Sequence, residues 1–145
     1  MLKGREEYVC DIETDGLNPT KIHCVGWHNV DTKGDKTLTS YDNMRTFFSQ
    51  EGVVFIIHNG LGYDKPAIER ILGIKFRSPV IDTLGLSWYL YPTRKLHGLE
   101  SWGEDFGVPK PEIDDWENLS VEEYLHRCAE DVKINTRLWK GLYKR

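Results

Sequence analysis

The spacing of apolar residues along the chain predicts alternating strands and helices. The first 41 residues are rich in β-formers and, with a turn candidate at residues 31–35, indicate a meander of three strands. The continuous apolar run Val53–Ile57 is largely β-branched and predicts a central strand covered on both faces. The predicted strands are 8–12, 21–30, 36–41, 53–57 and 79–83, and the predicted helices are 42–50, 65–72, 84–91, 99–106 and 120–142.

Helix-start signals support two of these helices. Pro66 lies in the first turn after Asp64, where its missing amide hydrogen is not needed. Ser120 and Glu123 form a capping-box pair ahead of the last helix, and the proline-containing stretch 108–118 before it predicts a loop. The order of elements predicts an α/β fold, with helices layered on a sheet, in one domain over the whole chain of 145 residues.

The amino-acid composition narrows the cellular compartment and the binding partners that we expect for this protein. The net charge of −4 gives no overall basic signature of a nucleic-acid binder, although an acidic site that holds cations can still bind phosphate. The three cysteines, Cys10, Cys24 and Cys128, are odd in number and have no zinc-site spacing, which favours a reducing compartment. The polar N-terminus and the shortness of the longest apolar run predict a cytoplasmic protein with no membrane partner.

Two carboxylates at the end of the first predicted strand are the first candidate for chemistry. Asp11 and Glu13 are two residues apart, so strand periodicity puts both side chains on one side. Such neighbours repel each other unless a divalent cation lies between them, and hard oxygen ligands suit Mg²⁺ or Mn²⁺. A bare pair of this kind is also compatible with two solvated acids in a loop.

Asp64 follows the most hydrophobic strand after a short loop. Ligands of open α/β sheets bind at strand ends, so this carboxylate is placed where it could face Asp11. The alternative role for Asp64 is to cap the helix that follows.

The last predicted helix carries two further candidates. Asp131 could supply a third carboxylate ligand, and His126 could take a proton from an attacking water, since an imidazole suits general-base work near neutral pH. Five residues along a helix correspond to a rotation of about 140°, so both reach one site only if His126 lies in the first turn or before it. The alternative is a surface histidine and a solvated aspartate.

Together these residues resemble the three motifs of the DEDD (DnaQ-like) exonuclease superfamily. The motifs are Asp-Ile-Glu-Thr-Asp-Gly-Leu from Asp11, Asn-x3-Tyr-Asp from Asn59 and His-x4-Asp from His126, and they span about 120 of the 145 residues. Segments 55–60, 81–84 and 97–103 look like the proofreading domain of T7-type phage family A DNA polymerases. The resemblance implies a ribonuclease-H-like fold, with a mixed five-stranded sheet flanked by helices.

The resemblance also implies a ligand set for two Mg²⁺ or Mn²⁺ ions. Asp11, Glu13 and Asp131 would hold the first ion, and Asp11 with Asp64, mostly through water, would hold the second. Such a pair suits in-line attack on a phosphodiester and release of a nucleoside 5′-monophosphate from a 3′ end.

Three further positions match substrate-binding residues of relatives. Thr14 and Leu17 match positions that meet the terminal nucleotide, with Leu17 wedged against a base, and Asn59 matches a position near the phosphate. Turn-forming, core-packing and loop-capping roles are the alternatives for these residues.

The third motif departs from the T7-type pattern. Arg127 stands four residues before Asp131, where those relatives usually carry tyrosine, and His126 fits the histidine subclass instead. We expect His126 to be the general base. The rival hypotheses are that Arg127 contacts the phosphate in place of the tyrosine, or that Tyr124 reaches the site.

The sequence therefore predicts a metal-dependent 3′→5′ exonuclease acting on DNA 3′ ends, single-stranded or frayed, in proofreading or phage DNA processing. A separate DNA polymerase is an expected partner. The alternatives are a catalytically silent module of the same fold that binds nucleic acid or a polymerase, and an exoribonuclease, since one sequence does not reveal a contact to the 2′-hydroxyl.

Overall fold

The computed structural model describes residues 4–108 and 119–143 and is centred on a mixed sheet of five strands. β1, β4 and β5 run parallel, while β2 pairs antiparallel with both β1 and β3, giving the order β3-β2-β1-β4-β5. The strands are β1 (Glu6–Thr14), β2 (Ile22–Asn29), β3 (Asp35–Leu38), β4 (Val53–Ile57) and β5 (Val80–Asp82).

In the part of the chain that the structure describes, five α-helices flank this sheet, as the sequence predicted. A single π-helical turn, Gly60–Asp64, joins β4 to the second helix and was predicted only as a loop. Of the loop predicted over residues 108–118, residues 109–118 lie outside the described residues. The helices are α1 (Tyr41–Phe48), α2 (Lys65–Leu72), α3 (Thr83–Leu90), α4 (Leu99–Phe106) and α5 (Val121–Tyr143).

The central strand β4 is buried on both faces, which explains its unbroken apolar sequence. Val53, Phe55 and Ile57 join one core, which also contains the buried residues of α1 and α2. Val54 and Ile56 join the opposite core, against α5. The sheet is therefore a middle layer, with α1 and α2 on one side and α5 on the other.

The same alternation in β1 decides where its carboxylates point. Cys10 and Ile12 belong to the core beneath α1 and α2, whereas Val9 packs in the core beneath α5. Asp11 and Glu13 share the phase of Val9, so they project toward α5.

β1 is longer than predicted, because it continues through Thr14 rather than ending at Ile12. Glu13 pairs with Cys24 and Thr14 pairs with Ile22, so the register shifts by one residue between these pairs. The side chain left over is His23, which forms a β-bulge at the edge of the candidate site.

Helix α5 lies very close to β2 because β2 carries a glycine at the crossing. A Cβ atom at Gly26 would come within 3.0 Å of Cys128 Sγ and 3.3 Å of Val132 Cγ2. The Cys128 thiol also donates a hydrogen bond of 3.3 Å to the carbonyl oxygen of Asp11. These contacts bring the middle of α5 against the carboxylate-bearing end of β1.

The predicted capping box at the start of α5 is present. The Ser120 amide donates to Glu123 Oε1, and the Glu123 amide donates to Ser120 Oγ, each at 3.2 Å. Within the described ranges 4–108 and 119–143, no helix combines the length and apolarity needed to cross a bilayer.

Candidate active site

Three carboxylates converge at the end of β1. One oxygen from each of Asp11, Glu13 and Asp131 lies within 4.8 Å of the others. Asp11 and Glu13 reach this point from β1, and Asp131, which is buried, reaches it from α5. An all-oxygen donor set of this kind fits a hard divalent cation such as Mg²⁺ or Mn²⁺. The fold thus brings together the three carboxylates that the sequence predicted as ligands of the first ion.

Asp64 lines the same cleft from the π turn. It makes no side-chain capping bond to α2, so the capping alternative does not describe its side chain. Burial raises the pKa of the Asp64 carboxyl well above its ordinary value, and the like charge of Asp82, Glu13 and Asp131 raises it further. A divalent cation among these carboxylates would offset this repulsion.

The π turn that carries Asp64 depends on Asn59, the residue before it, and on Gly60, its first residue. Asn59 adopts a left-handed conformation (φ 59°), and a Cβ atom at Gly60 would lie 2.7 Å from Ile57 Cβ. Only glycine lets the chain turn this closely over the end of β4.

Asp82 anchors this turn to the neighbouring strand end. Its carboxylate accepts the amide of Asn59 at 2.8 Å and that of Leu61 at 3.2 Å. It also accepts the amides of Leu84 and Gly85 at the start of α3 and so caps this helix. The sequence did not reveal the contacts to the π turn, although β4 and β5 are neighbouring parallel strands that end at the same edge.

Tyr63 ties the π turn to the loop after β1. Its hydroxyl donates to the Gly16 carbonyl at 2.5 Å and lies 2.6 Å from Thr14 Oγ1. The loop places Leu17 at the mouth of the cleft with 91% of its surface exposed. An exposed leucine in this position is available to contact a ligand.

The cleft, of about 880 Å³, gathers most of the predicted site residues. All four carboxylates line it, as do the predicted substrate-binding residues Thr14, Leu17, Asn59 and Arg127.

The helix side of the cleft is formed by residues that share a face of α5 with Asp131. Arg127 lies one turn earlier, and its Nε is 3.5 Å from Glu13 Oε1, with both side chains largely buried. Tyr124 lies two turns earlier and also lines the cleft. Both rivals to His126 in the third motif are therefore placed at the site.

His126 is exposed and is not among the residues that line the cleft. The helix begins at Val121, so His126 lies in its second turn and is rotated by about 140° from Asp131. The condition under which both could reach one site, His126 in or before the first turn, is not met. Its role as general base stays a prediction.

His23 is a cleft residue that the sequence did not single out for this site. Its ring stacks on Tyr124 with centroids 4.2 Å apart and an interplanar angle of 23°. Burial, and to a lesser extent the charge of Lys21, lowers the pKa of His23, so its ring is neutral at neutral pH. The β-bulge that exposes it to the cleft depends on strand pairing, which a single sequence does not show.

Two other histidines have structural roles. His58 bonds through Nδ1 to Thr83 Oγ1 and through Nε2 to the carbonyl of His97, each at 2.9 Å. His97 is buried and bonds through Nδ1 to Ser87 Oγ.

Comparison with known proteins shows the fold. No family model and no curated protein matches the sequence. Brucella melitensis NrnC with bound Mg²⁺ is 20% identical, with a TM-score of 0.74 over 98% of this chain and 74% of that one. Exonuclease I is 11% identical (TM-score 0.71, 97% and 41% of the two chains), and Phi29 DNA polymerase complexed with single-stranded DNA is 16% identical (0.65, 97% and 31%).

These likenesses confirm the predicted fold class. The chain has the ribonuclease-H-like, DnaQ-type fold of exonucleases, with a mixed five-stranded sheet and flanking helices. The finer resemblance to T7-type polymerases stays a prediction.

Proposed function

We propose that this chain is a metal-dependent 3′→5′ exonuclease that hydrolyses the terminal phosphodiester bond of single-stranded or frayed DNA and releases nucleoside 5′-monophosphates. The observation that carries the proposal is the convergence of Asp11, Glu13 and Asp131 within 4.8 Å, in a cleft also lined by Asp64. An exonuclease fold supports it.

The carboxylates fit two divalent cations. Asp11, Glu13 and Asp131 would hold one Mg²⁺ or Mn²⁺, and Asp11 with Asp64 would hold a second, chiefly through water. Once bound, two such ions would supply activation of a water for in-line attack and stabilisation of the leaving 3′ oxygen. The Mg²⁺ bound by NrnC is consistent with this choice of metal.

The other cleft residues bind and orient the nucleic acid. Arg127, held at the carboxylate cluster by Glu13, donates hydrogen bonds to the phosphate that is cut. Asn59 lies near the same phosphate, while Thr14 and Leu17 contact the terminal nucleotide. Tyr124 is the candidate base by position, whereas His126, the candidate by sequence, is exposed outside the cleft.

The substrate that we propose is the 3′ end of a nucleic-acid strand. Among the similar structures, Phi29 DNA polymerase is complexed with single-stranded DNA, and NrnC is bound to pGG. DNA stays our first choice, and RNA is the second candidate. A separate polymerase would supply affinity that this acidic chain lacks, because phosphate neutralisation provides most nucleic-acid binding.

A degradation assay tests the proposal. The protein is incubated with 5′-labelled single-stranded DNA and RNA in parallel, with Mg²⁺ or Mn²⁺, and with EDTA as the metal-free arm. We expect a ladder that shortens from the 3′ end and stops in EDTA. Intact DNA and RNA, together with binding that EDTA leaves unchanged, would establish the silent module instead.

Asp31→Asn is the matched control for a loss of carboxylate in this assay. Asp31 is exposed in the turn between β2 and β3 and does not line the cleft. Its substitution leaves the expected ladder unchanged, whereas Asp11→Asn removes it.

A further inference from the structure

The β-bulge in β2 directs the ring of His23 into the cleft. Regular pairing would continue from Glu13–Cys24 to Thr14–His23, but Thr14 pairs with Ile22 and leaves His23 as the extra residue. Bulges bend a strand and redirect a side chain, and they are over-represented next to active sites. Here the redirected side chain lines the cleft beside the carboxylates.

The redirected ring is fixed by stacking on α5. His23 and Tyr124 lie with centroids 4.2 Å apart and nearly parallel planes, and both are only half-buried. The next residue on β2, Cys24, donates its thiol hydrogen to the carbonyl oxygen of Tyr124 at 3.7 Å. The strand and the helix therefore hold the two rings together at the cleft wall.

We infer that the His23–Tyr124 stack is a platform that binds a nucleobase of the 3′-terminal dinucleotide, and this inference rests on the proposed function. A base has two π faces and stacks on an aromatic ring whatever its identity, so such a platform suits an exonuclease that must accept every base. The imidazole stacks as a neutral ring, because burial lowers the pKa of His23.

The His23–Tyr124 platform offers a type of contact that the other proposed ligand-binding residues of the cleft do not offer. The carboxylates hold cations and Arg127 offers charge to a phosphate, while Leu17 offers an apolar wedge. None of these provides a flat aromatic surface. Two other ring side chains line the cleft, and both are engaged elsewhere: the Tyr63 hydroxyl joins Thr14 and Gly16, and both ring nitrogens of His58 make hydrogen bonds.

A thermodynamic cycle tests the platform by combining a substitution in the protein with removal of a base from the substrate. Wild type and His23→Ala are compared for their Kd, by fluorescence anisotropy in Mg²⁺, toward a single-stranded DNA with phosphorothioate 3′ linkages. The same two proteins are then compared on two abasic strands, one of which lacks the terminal base and the other the penultimate base. We expect His23→Ala to weaken binding of the intact strand about 5- to 150-fold. Binding of one of the two abasic strands should change by less than about twofold.

Conservative variants separate stacking from proton transfer. His23→Phe and Tyr124→Phe each keep both rings of the platform. Each variant is therefore expected to have a Kd and a KM within about threefold of wild type. An exposed aromatic residue outside the cleft, Tyr89, gives the control Tyr89→Ala, which leaves both quantities unchanged. Thermal melting of each variant shows that it is folded.

The outcomes distinguish this inference from the function on which it rests. Equal weakening of the intact and both abasic strands by His23→Ala overturns the platform, as does a collapse of kcat at unchanged KM in His23→Phe. If wild type cleaves DNA and the cycle shows no coupling, only the platform fails. If wild type neither binds nor cleaves nucleic acid, the proposed function fails and the platform with it.

Discussion

The two sides of the cleft are built by different means. The sheet wall consists of Asp11, Glu13 and Asp64, and the helix wall consists of Tyr124, Arg127 and Asp131. The sheet wall is fixed by strand pairing and by the backbone bonds that Asp82 accepts. The helix wall depends on the rotational position of one long helix, which Ser120 and Glu123 start.

The comparison explains where the sequence keeps to the DEDD pattern and where it departs. In a strand, the face of a residue is set by a period of two, so the carboxylates of β1 have only two possible directions. In a helix, each residue rotates by about 100°, so the difference between His126 and Arg127 decides whether a side chain faces the cleft. The sheet wall carries its expected residues, and the departures from the pattern all lie on the helix wall.

The largest effect is expected when either wall loses a proposed metal ligand. Asp11→Asn and Asp131→Asn each remove charge from the cluster, and we expect each to lower the cleavage rate about a thousandfold, since a catalytic metal supplies several kcal/mol. Initial rates on labelled DNA and calorimetric Mg²⁺ affinity measure this. A rate within about tenfold of wild type for either variant would remove that carboxylate from the proposed ligand set.

Arg127→Ala tests the departure on the helix wall. Loss of a charged hydrogen bond to the phosphate is expected to lower kcat/KM about 10- to 150-fold, and Arg127→Lys to recover part of it. Lys133→Ala, which removes an exposed cation of the same helix outside the cleft, is the control. An unchanged kcat/KM in Arg127→Ala would assign this side chain to pairing with Glu13 alone.

Asp82→Ala loosens the sheet wall without touching its carboxylates. The variant loses the acceptor for the amides of Asn59 and Leu61 and the cap of α3, so we expect unfolding free energy to fall by about 1–2 kcal/mol. Displacement of Asp64 should also lower kcat about tenfold or more. Urea unfolding and steady-state rates measure the two effects. Full activity in the folded variant would mean that the π turn holds its shape without Asp82.

The smallest effect is expected from His126→Ala. Because His126 is exposed and does not line the cleft, we expect the rate to stay within about threefold of wild type. General bases contribute about 10²- to 10⁴-fold, so a drop in that range would restore His126 as the base and would require α5 to rotate or restart.

The secondary structure was accessible from the sequence because apolar spacing reports burial directly. The run Val53–Ile57 is apolar throughout and is covered on both faces, as predicted. The carboxylates of β1 were also accessible, because alternation places Asp11 and Glu13 on one side. Ser120 and Glu123 signalled the start of α5 through a local hydrogen-bond pattern.

The parts that escaped prediction depend on contacts between distant segments. The bulge at His23 follows from the register between β1 and β2, and its stacking partner Tyr124 is about a hundred residues away in the chain. The bonds from Asp82 to the turn after Asn59 likewise join two strand ends. Neither has a local sequence signal, because their cause is tertiary packing.

The π turn makes the number of residues between Asn59 and Asp64 important for the geometry of the site. Asp64 ends a turn that is wider than an α-helical one, and α2 follows it directly with Ala67 and Ile68 in the core. Deleting one residue between Asn59 and Asp64 would shift the phase by about 100°, displacing either the carboxylate or the packed face of α2. Selection on such a segment would therefore act on its number of residues as well as on the identity of Gly60 and Asp64.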